Sequence, residues 1–428
     1  MIKLFYKLKN DPRIRNSLWM LIEKAISLFG LIFIISAVAK YTGPTIYGEI
    51  ALAGAIFLVV KPIAQLGLDQ IYFKYTSQKK PYNYVFLNNA IKLSSLIYSI
   101  LTLLVLIFSY FYSSKIGFVF IFCTAVAYYF NTIDLRNFYF EGVLKSKFNV
   151  VANVIGLIAA LILRYLIVIL ELDYLYLGIP IILMTLIPFF IKLYFYNKID
   201  LTKDKKTLEK NKKYYKYFLG VGIPLSLSIL ASVLNSQVAN YIIAALLGVK
   251  AVGYYSIAFV LAGAWCIVPT TLIMSYLTTI YKFSSSEDSH YIQYSRKILY
   301  LVLVLSFSIV FILNVFSESI VLYLYGYEYE SSIILLKILL WMQFFWVLSY
   351  MLSRLIIKFS GYRFLAIKTI LCVILNCLLC FYFVGKYGVQ GAAYAALLSE
   401  LISFLFCVLY RKAYILEILL PYNKVKIN

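Results

Sequence analysis

Residues 17–48 read SLWMLIEKAISLFGLIFIISAVAKYTGPTIYG, and this stretch decides the class of fold. Residues 17–39 are almost entirely apolar, which is long enough for an α-helix to cross a hydrocarbon core of about 30 Å. The run is too long for the apolar region of a signal peptide, so we expect it to remain as a membrane span. A turn with two glycines, Gly43 to Gly48, follows and leads into a second apolar run. The pattern predicts two consecutive transmembrane helices.

The rest of the chain has the same character. Of its 428 residues, 63% are hydrophobic and 14% are charged, and the mean hydropathy is +0.87. Ordinary soluble proteins have about 45–50% apolar residues, so that class is excluded. Six cysteines lie inside apolar runs and the one histidine is His290. We therefore expect no disulfide framework, no metal site and no bound cofactor.

Division of the chain at charges, Gly and Pro pairs and polar clusters predicts an all-α polytopic membrane protein with about twelve transmembrane helices. The predicted spans are residues 17–39, 47–68, 88–112, 116–138, 149–170, 174–196, 218–247, 252–280, 297–325, 333–357, 364–384 and 389–410. Residues 198–216 are strongly basic and separate six spans from six. We expect them to link an N-terminal lobe, residues 1–197, to a C-terminal lobe, residues 217–428.

The two predicted lobes share a motif. GPTIYG, Gly43 to Gly48, follows the first span, and GVKAVG, Gly248 to Gly253, follows the seventh at an offset of 205 residues. Because each lobe has an even number of spans, the lobes would have the same orientation, as in a parallel repeat about an axis along the membrane normal.

Most of the net charge of +22 follows from topology. Of the 40 Lys and Arg residues, 27 fall in the terminal segments and the loops of one side, counting Lys297 at the first residue of the ninth span, and four fall on the other side. Short loops rich in Lys and Arg stay in the cytoplasm, which predicts that both termini are cytoplasmic. The charge is explained without nucleic acid, and no nucleic-acid partner is expected.

The other nine bases lie within predicted spans, where an ionisable group is costly and normally faces a cavity or a partner. Few acids accompany them, and a basic interior suits a diphosphate or acidic sugars. Five of the nine lie near span ends, where extension toward the membrane surface is the favoured alternative: Lys92, Lys192, Lys337, Arg354 and Lys368. The residues predicted to bind phosphate or acidic sugar are Lys24, Lys61, Arg136, Arg164 and Arg354.

Two spans also contain other polar residues. In the fourth span, Asp134 and Asn137 are three residues apart and are predicted to share a helix face, amid aromatic rings that suit a sugar. The seventh span has a polar stripe, for which hydrogen bonding between helices is the alternative. The predicted sugar-contacting residues are Asn131, Asp134, Asn137, Asn235 and Asn240. Candidate acids for ion coupling are Glu23, Asp69 and Glu400, and a fixed ion pair with a nearby base is the favoured alternative for Glu400.

The segment from Asn16 to Gln70 resembles the start of bacterial polysaccharide flippases of the Wzx type. These proteins belong to the multidrug/oligosaccharidyl-lipid/polysaccharide exporter superfamily. The resemblance is carried by the Glu23-Lys24 pair, the turn from Lys40 to Pro44, Tyr47-Gly48 and the Leu-Gly-Leu-Asp sequence ending at Asp69. LGVKAVGYYSIAFVL, residues 247–261, and YGVQGAAYAALLSELISF, residues 387–404, also resemble this family.

The resemblance implies two six-helix lobes in a V around a central cavity. It implies a flippase that moves an undecaprenyl-diphosphate-linked oligosaccharide across the bacterial cytoplasmic (inner) membrane by alternating access. The glycan would enter O-antigen, capsule or exopolysaccharide synthesis, with a polysaccharide polymerase and chain-length proteins as partners. No Gly-x4-Gly-Lys-[Ser/Thr] sequence occurs, so an ion gradient or an outside partner would supply any drive.

Three other classes of membrane protein agree less well with the sequence. A drug or cation antiporter of the same superfamily would be expected to have an acidic or apolar cavity. A multispan polysaccharide polymerase or glycosyltransferase would need acidic residues or a large polar loop on the outer side, where the loops here are short. A peptidoglycan-precursor flippase of this superfamily typically has fourteen spans. The sequence therefore favours a transporter of lipid-linked oligosaccharide, and not an enzyme.

Overall fold

A computed structural model describes residues 12–78, 83–199, 211–280, 289–358 and 361–410. These residues form helices and short connections, with no strand among them. The α-helices are α1 (Pro12–Gln65), α2 (Leu68–Ser77), α3 (Asn83–Tyr112), α4 (Lys115–Ile133), α5 (Arg136–Gly142), α6 (Lys147–Ile169), α7 (Gly178–Ile199), α8 (Asn211–Leu247), α9 (Val249–Ala264), α10 (Ile267–Ile280), α11 (Ser289–Val315), α12 (Ser317–Tyr325), α13 (Ser331–Lys358), α14 (Tyr362–Tyr387) and α15 (Val389–Leu409). Short 3-10 turns lie at Tyr174–Leu177 and Tyr327–Tyr329.

The chain divides into two compact units, Met1–Val233 and Leu234–Asn428, with the boundary inside helix α8. Residues 200–210 of the predicted linker lie outside the described residues. The predicted lobe boundaries at residues 198–216 therefore stay a prediction.

Helix α1 contains two helical segments. Its 54 residues would extend for about 80 Å at 1.5 Å per residue, far more than one membrane crossing needs. Gly43 interrupts it with a non-helical backbone (φ 70°, ψ 173°), and Pro44 begins the second segment. This combination of angles is almost confined to glycine, because a side chain would collide with the backbone.

Gly248, between α8 and α9, has nearly the same backbone conformation as Gly43 (φ 83°, ψ 175°). These are the two glycines that the sequence pairs at an offset of 205 residues. The structure thus supports the predicted internal repeat at the level of backbone geometry.

Ten described helices are long and apolar enough to cross a membrane, or eleven if the bent pair α9 and α10 is counted as one span. That count takes Ile32–Gln65 as a single span, although Gly43 lies within it. The described residues therefore give ten or eleven candidate spans, against the twelve predicted from the sequence.

Four predicted spans are divided or end differently in the structure. The eighth, predicted as residues 252–280, is bent between α9 and α10. The second ends at Gln65 because Gly67 adopts a left-handed conformation (φ 64°) before α2 begins. The ninth, predicted as residues 297–325, is divided into α11 and α12; near the division, the Ser317 hydroxyl donates to the Asn314 carbonyl (2.8 Å). The fourth is interrupted after Ile133 and resumes as α5.

An aromatic core lies at one end of the first unit, where α2, α3, α5, α7 and the start of α8 meet. The Phe86 ring stacks on Tyr72 and Tyr75, with centroids 5.4 and 5.0 Å away, and meets Phe218 edge-on at 4.8 Å. Each such ring pair contributes about 0.5–1.5 kcal/mol beyond its buried area. The core holds the short helices α2 and α5 in place.

In the second unit, α13 is the most enclosed of the candidate spans, and it packs against α9, α11 and α15. Leu339, Leu340 and Val347 on α13 are fully buried. By contrast, α3 in the first unit and α14 in the second carry many exposed large apolar side chains, as expected for helices that face lipid.

Candidate functional site

A cluster of charged and amide side chains lies in the first unit at the division between α4 and α5. We name it the Lys–Asp cluster; its members are Lys61 on α1, Asn131 on α4, Asp134 between α4 and α5, Asn137 on α5 and Lys192 on α7. At its centre, Lys192 Nζ lies 2.8 Å from Asp134 Oδ2, and the two side chains are 5% and 9% exposed. The same ammonium group donates to Asn137 Oδ1 at 3.2 Å.

The interruption of the fourth span creates this geometry. The Asp134 backbone leaves the helical conformation (φ −79°, ψ 60°), although its N–H still donates to the Phe130 carbonyl at 3.1 Å. Gln65 Nε2 donates to the Thr132 carbonyl at 2.9 Å and so satisfies one of the acceptors that the end of α4 leaves free. The prediction that Asp134 and Asn137 share one helix face is wrong, because the helix is interrupted between them. The turn instead lets both side chains reach Lys192.

Lys61 connects the cluster to a more accessible position. Its ammonium group donates to Oδ1 of Asn131, whose side chain is exposed. The charged groups that act on Lys61 are Asp69, Asp134 and Lys192. Lys61 therefore lies between a buried ion pair and an open surface.

Arg136 begins α5 and lies against aromatic rings. Its guanidinium carbon is 5.5 Å from the centroid of the Phe189 ring and 5.7 Å from that of Tyr196. Such a contact holds the planar guanidinium by cation–π attraction. These contacts hold the positive charge of Arg136 two residues after Asp134 in the chain.

Further polar contacts surround the cluster, and sequence reasoning missed them. Asn137 Nδ2 donates to Glu141 Oε1 at 2.7 Å, and Asn149 Nδ2 donates to the Asn137 carbonyl at 2.8 Å. Asn153 Nδ2 donates to Glu23 Oε1 at 2.6 Å. The spacing of four residues between Asn149 and Asn153 on α6 was the available signal, because it puts both on one helix face.

Not all predicted residues join the Lys–Asp cluster. Lys24 is exposed on α1. Arg164 lies about 25 Å along α6 from Lys147, where that helix begins, at a rise of 1.5 Å per residue. The charged or ionisable group that acts on it is Tyr47 and not a member of the Lys–Asp cluster. Asp69, in the first turn of α2, has Oδ1 buried without a hydrogen-bond partner, and burial raises the pKa of its carboxyl group.

The second unit contains a separate polar network around Glu400 on α15. Asn235 Nδ2 lies 3.5 Å from Glu400 Oε1, and Asn376 Nδ2 donates to Asn235 Oδ1 at 3.2 Å. The base that acts on Glu400 is Lys368 on α14, whose ammonium group donates to Ser403 Oγ at 3.0 Å. Lys368 therefore points at α15, and not along the helix to a membrane surface.

Two predicted residues of the second unit have other surroundings. Arg354 donates to the Tyr350 hydroxyl at 3.0 Å, with its guanidinium carbon 4.6 Å from the ring centroid. Asn240 Nδ2 donates to Gln237 Oε1 at 2.9 Å, and the Ser256 hydroxyl lies 3.5 Å from Asn240 Oδ1. Arg354 and Asn240 thus each contact residues near them in the chain and do not join the network around Glu400.

Among the described residues, no group of three or more His, Cys, Asp or Glu side chains is arranged to hold a metal ion. Each of the two polar sites combines ammonium and amide groups, which bind anions and hydroxyl groups, with one carboxylate, Asp134 in the first unit and Glu400 in the second.

The fold is that of the multidrug/oligosaccharidyl-lipid/polysaccharide superfamily of transporters. The chain is similar to a structure of the lipid II flippase MurJ in an inward closed conformation, with a TM-score of 0.71 and 18% identity over 95% of this chain and 90% of that one. It is also similar to an inward-facing multidrug resistance MATE transporter of that superfamily (TM-score 0.57, 16% identity, 93% of this chain and 95% of that one). An outward-facing MATE transporter gives a TM-score of 0.56 at 16% identity, over 96% and 97% of the two chains.

A family model described as polysaccharide biosynthesis protein matches residues 37–334, and the chain belongs to this family. Comparison of the sequence with curated proteins gives no match. The described apolar helices and the family match identify a multi-pass membrane protein of this family, with the fold that these transporters share.

Proposed function

We propose that the chain is a flippase that moves an undecaprenyl-diphosphate-linked oligosaccharide from the cytoplasmic to the outer leaflet of the bacterial cytoplasmic membrane by alternating access. The observation that carries the proposal is the excess of bases over acids at membrane depth. Three of the nine bases, Lys61, Arg136 and Lys192, lie around the division between α4 and α5. The lipid would be held by its diphosphate in the first unit.

The chemistry of these side chains suits a diphosphate. A phosphate group leaving water needs charged donors to replace its hydration, and ammonium and guanidinium groups provide them. Lys61 is half-buried beside the exposed Asn131, where an incoming headgroup has access. Asn131 also supplies an amide of the kind that binds sugar hydroxyl groups.

The position of the cluster suits loading from the cytoplasm. Helices α1, α4 and α7 all reach the cluster near their C-terminal ends, and basic segments follow these spans in the sequence. By the positive-inside rule these ends are cytoplasmic, as are both termini. The lipid-linked glycan is assembled on that side under this proposal.

The charge of the site favours this substrate over the cations that a drug antiporter would carry. The similarity to MATE transporters concerns the fold, which both classes share. The lysines of the Lys–Asp cluster, together with Arg136 beside it, would repel a cationic drug. We therefore place the antiporter second, and we propose O-antigen, capsule or exopolysaccharide precursors as the glycan, with a polymerase and chain-length proteins acting downstream.

Glu400 is the acid that we propose for ion coupling. It lies on α15 with an amide, Asn235, on one side and a base, Lys368, acting on it. A carboxylate whose balance with a neighbouring ammonium changes on protonation can link transport to a proton gradient. Glu23 and Asp69 suit the role less well, since Glu23 is held by Asn153 and Asp69 lies outside the candidate spans.

Complementation of a bacterial strain that lacks its own flippase tests the proposal. We expect Lys61→Ala and Arg136→Ala to reduce surface glycan strongly at normal expression, because each removes a proposed phosphate-binding cation. Lys92→Ala is the matched control, since Lys92 is an exposed base on the lipid-facing helix α3. Wild-type amounts of glycan in both site variants would contradict the proposed site.

A further inference from the structure

The carboxylate of Asp134 occupies the position on Lys192 where an anionic ligand would bind. Lys192 Nζ is 2.8 Å from Asp134 Oδ2 and 3.2 Å from Asn137 Oδ1. An ammonium group has three donors, so these contacts leave one donor for another acceptor. Lys192 is thus a base with an anion already in place.

That anion is incompletely bound. Oδ1 of Asp134 is buried and has no hydrogen-bond partner. A buried ion pair is favourable only when its remaining hydrogen-bonding capacity is satisfied, and an orphaned carboxylate oxygen is costly. A pair kept only to stabilise the fold would be expected to satisfy both oxygens. An anion with more acceptor oxygens and more charge can therefore compete for Lys192.

The backbone allows the carboxylate to leave. Asp134 follows the last residue of α4, with a non-helical ψ of 60°, and α5 begins two residues later at Arg136. Residues at the ends of helices are the ones that absorb changes in backbone angles during conformational steps. Withdrawal of Asp134 requires rotation within this short connection, which is bonded to α4 through the Asp134 N–H and the Phe130 carbonyl at 3.1 Å.

The charge balance then calls for a replacement anion. Lys61 is acted on by Asp134, by Asp69 and by the like charge of Lys192. If Asp134 withdraws, two ammonium groups are left with less compensation. A diphosphate returns more negative charge than Asp134 removes, and its several oxygens can accept from both lysines.

We propose that Asp134 is an internal counter-ion that holds Lys192 in the substrate-free transporter, and that the diphosphate of the lipid-linked substrate displaces it. This inference rests on the proposed function and deepens it. Lys192 becomes a direct phosphate ligand, and Asp134 becomes the residue that sets specificity: a lipid with a single phosphate or none compensates the two lysines less well than a diphosphate. When the substrate leaves, Asp134 returns to Lys192.

The test is binding of farnesyl diphosphate and farnesyl monophosphate to the purified full-length protein in detergent. Asp134→Asn keeps the side-chain shape but removes the competing charge, so it should bind the diphosphate at least about tenfold more tightly. Its preference for diphosphate over monophosphate should also narrow. Glu49→Gln is the matched control: Glu49 is an acid of the same unit that accepts from Ser114 and lies 12 residues, about 18 Å, from Lys61 along α1, so its loss should leave affinity within about twofold of wild type.

An Asp134→Asn protein that binds no more tightly than wild type would overturn the inference. If that variant does not fold, the double variant Asp134→Leu with Lys192→Met replaces the pair with apolar side chains, which buried pairs often tolerate. It should bind at least about tenfold more weakly than wild type, and unchanged affinity would overturn the inference. Wild-type protein with no affinity for farnesyl diphosphate would instead contradict the proposed function itself.

Discussion

Replacement of Lys192 by Met should destabilise the first unit by an amount that the structure defines. The substitution removes the ammonium group 2.8 Å from Asp134 and leaves that carboxylate, 9% exposed, without an opposite charge in contact. The hydrogen bond to Asn137 is lost as well. Removal of one partner from a buried ion pair costs about 3–5 kcal/mol, because the remaining charge stays desolvated.

Thermal unfolding of the purified full-length protein in detergent measures the effect. For a unit of this size, a loss of this magnitude lowers the unfolding midpoint by roughly 10 °C. Lys92→Met is the control, since Lys92 is exposed on α3 and its loss should change stability by no more than about 0.5 kcal/mol. The double variant with Asp134→Leu should recover most of the loss. A Lys192→Met protein that unfolds at the same temperature as Lys92→Met would refute the reasoning.

Three further predictions concern other parts of the chain. Gly43→Ala should lower the free energy of unfolding by about 1–3 kcal/mol, because Gly43 has a positive φ. Gly54→Ala is the control: it lies in a helix with open space around it, so the substitution should leave the free energy of unfolding unchanged or raise it by up to about 1 kcal/mol. Equal unfolding midpoints for the two variants would contradict this prediction. Glu400→Gln should abolish stimulation of transport by a proton gradient in vesicles while substrate still binds, and stimulation that persists would exclude the coupling role. Burial raises the pKa of the Asp69 carboxyl group above its ordinary 3.8, so the protonated form favours the folded state, and this stability is lost as pH rises through the folded pKa. Asp69→Asn, which cannot ionise, should therefore raise the unfolding midpoint at pH 7 but not below pH 4. An equal effect of the substitution at both pH values would argue against this explanation.

The fold could be predicted from the sequence because its signals are local. Apolar length defines most of the spans, and two glycines with matching positions, Gly43 and Gly248, mark equivalent turns. Both turns need backbone angles that only glycine adopts readily, which is why the motif is visible in the sequence. Hydropathy alone did not place the interruptions at Gln65 and after Val315. Apolar residues on both sides, Leu66 and Leu68 at the first and Phe316 and Ile320 at the second, make each region read as one continuous span.

The candidate site was predicted only in part, because it depends on contacts between distant residues. Asp134 was identified, but its partner Lys192 was assigned to the membrane surface from its distance to a predicted span end. The two residues are 58 positions apart, and no periodicity links them. The turn after Ile133 was not predicted either, since the polar residues near the end of residues 116–138 were interpreted as one face of a continuous helix.

The second unit gives the same lesson. No base could be assigned to Glu400 from the sequence. In the structure, Lys368 on α14 is the base that acts on Glu400 on the neighbouring helix α15. Lys368 was assigned to a span end, where long side chains commonly extend to the surface. Its contact with Ser403 shows that the packing of neighbouring helices decides the direction of such a side chain.

Translocation in proteoliposomes tests the central claim most directly. The purified protein would be reconstituted with a fluorescent undecaprenyl-diphosphate-linked oligosaccharide, and an impermeant quencher would report the leaflet in which the probe lies. The account predicts that wild-type protein moves the probe between leaflets, that Lys61→Ala slows this at least about tenfold, and that Lys92→Ala does not. Transport of a cationic dye by wild-type protein, with the lipid-linked oligosaccharide moving no faster than in protein-free vesicles, would contradict it.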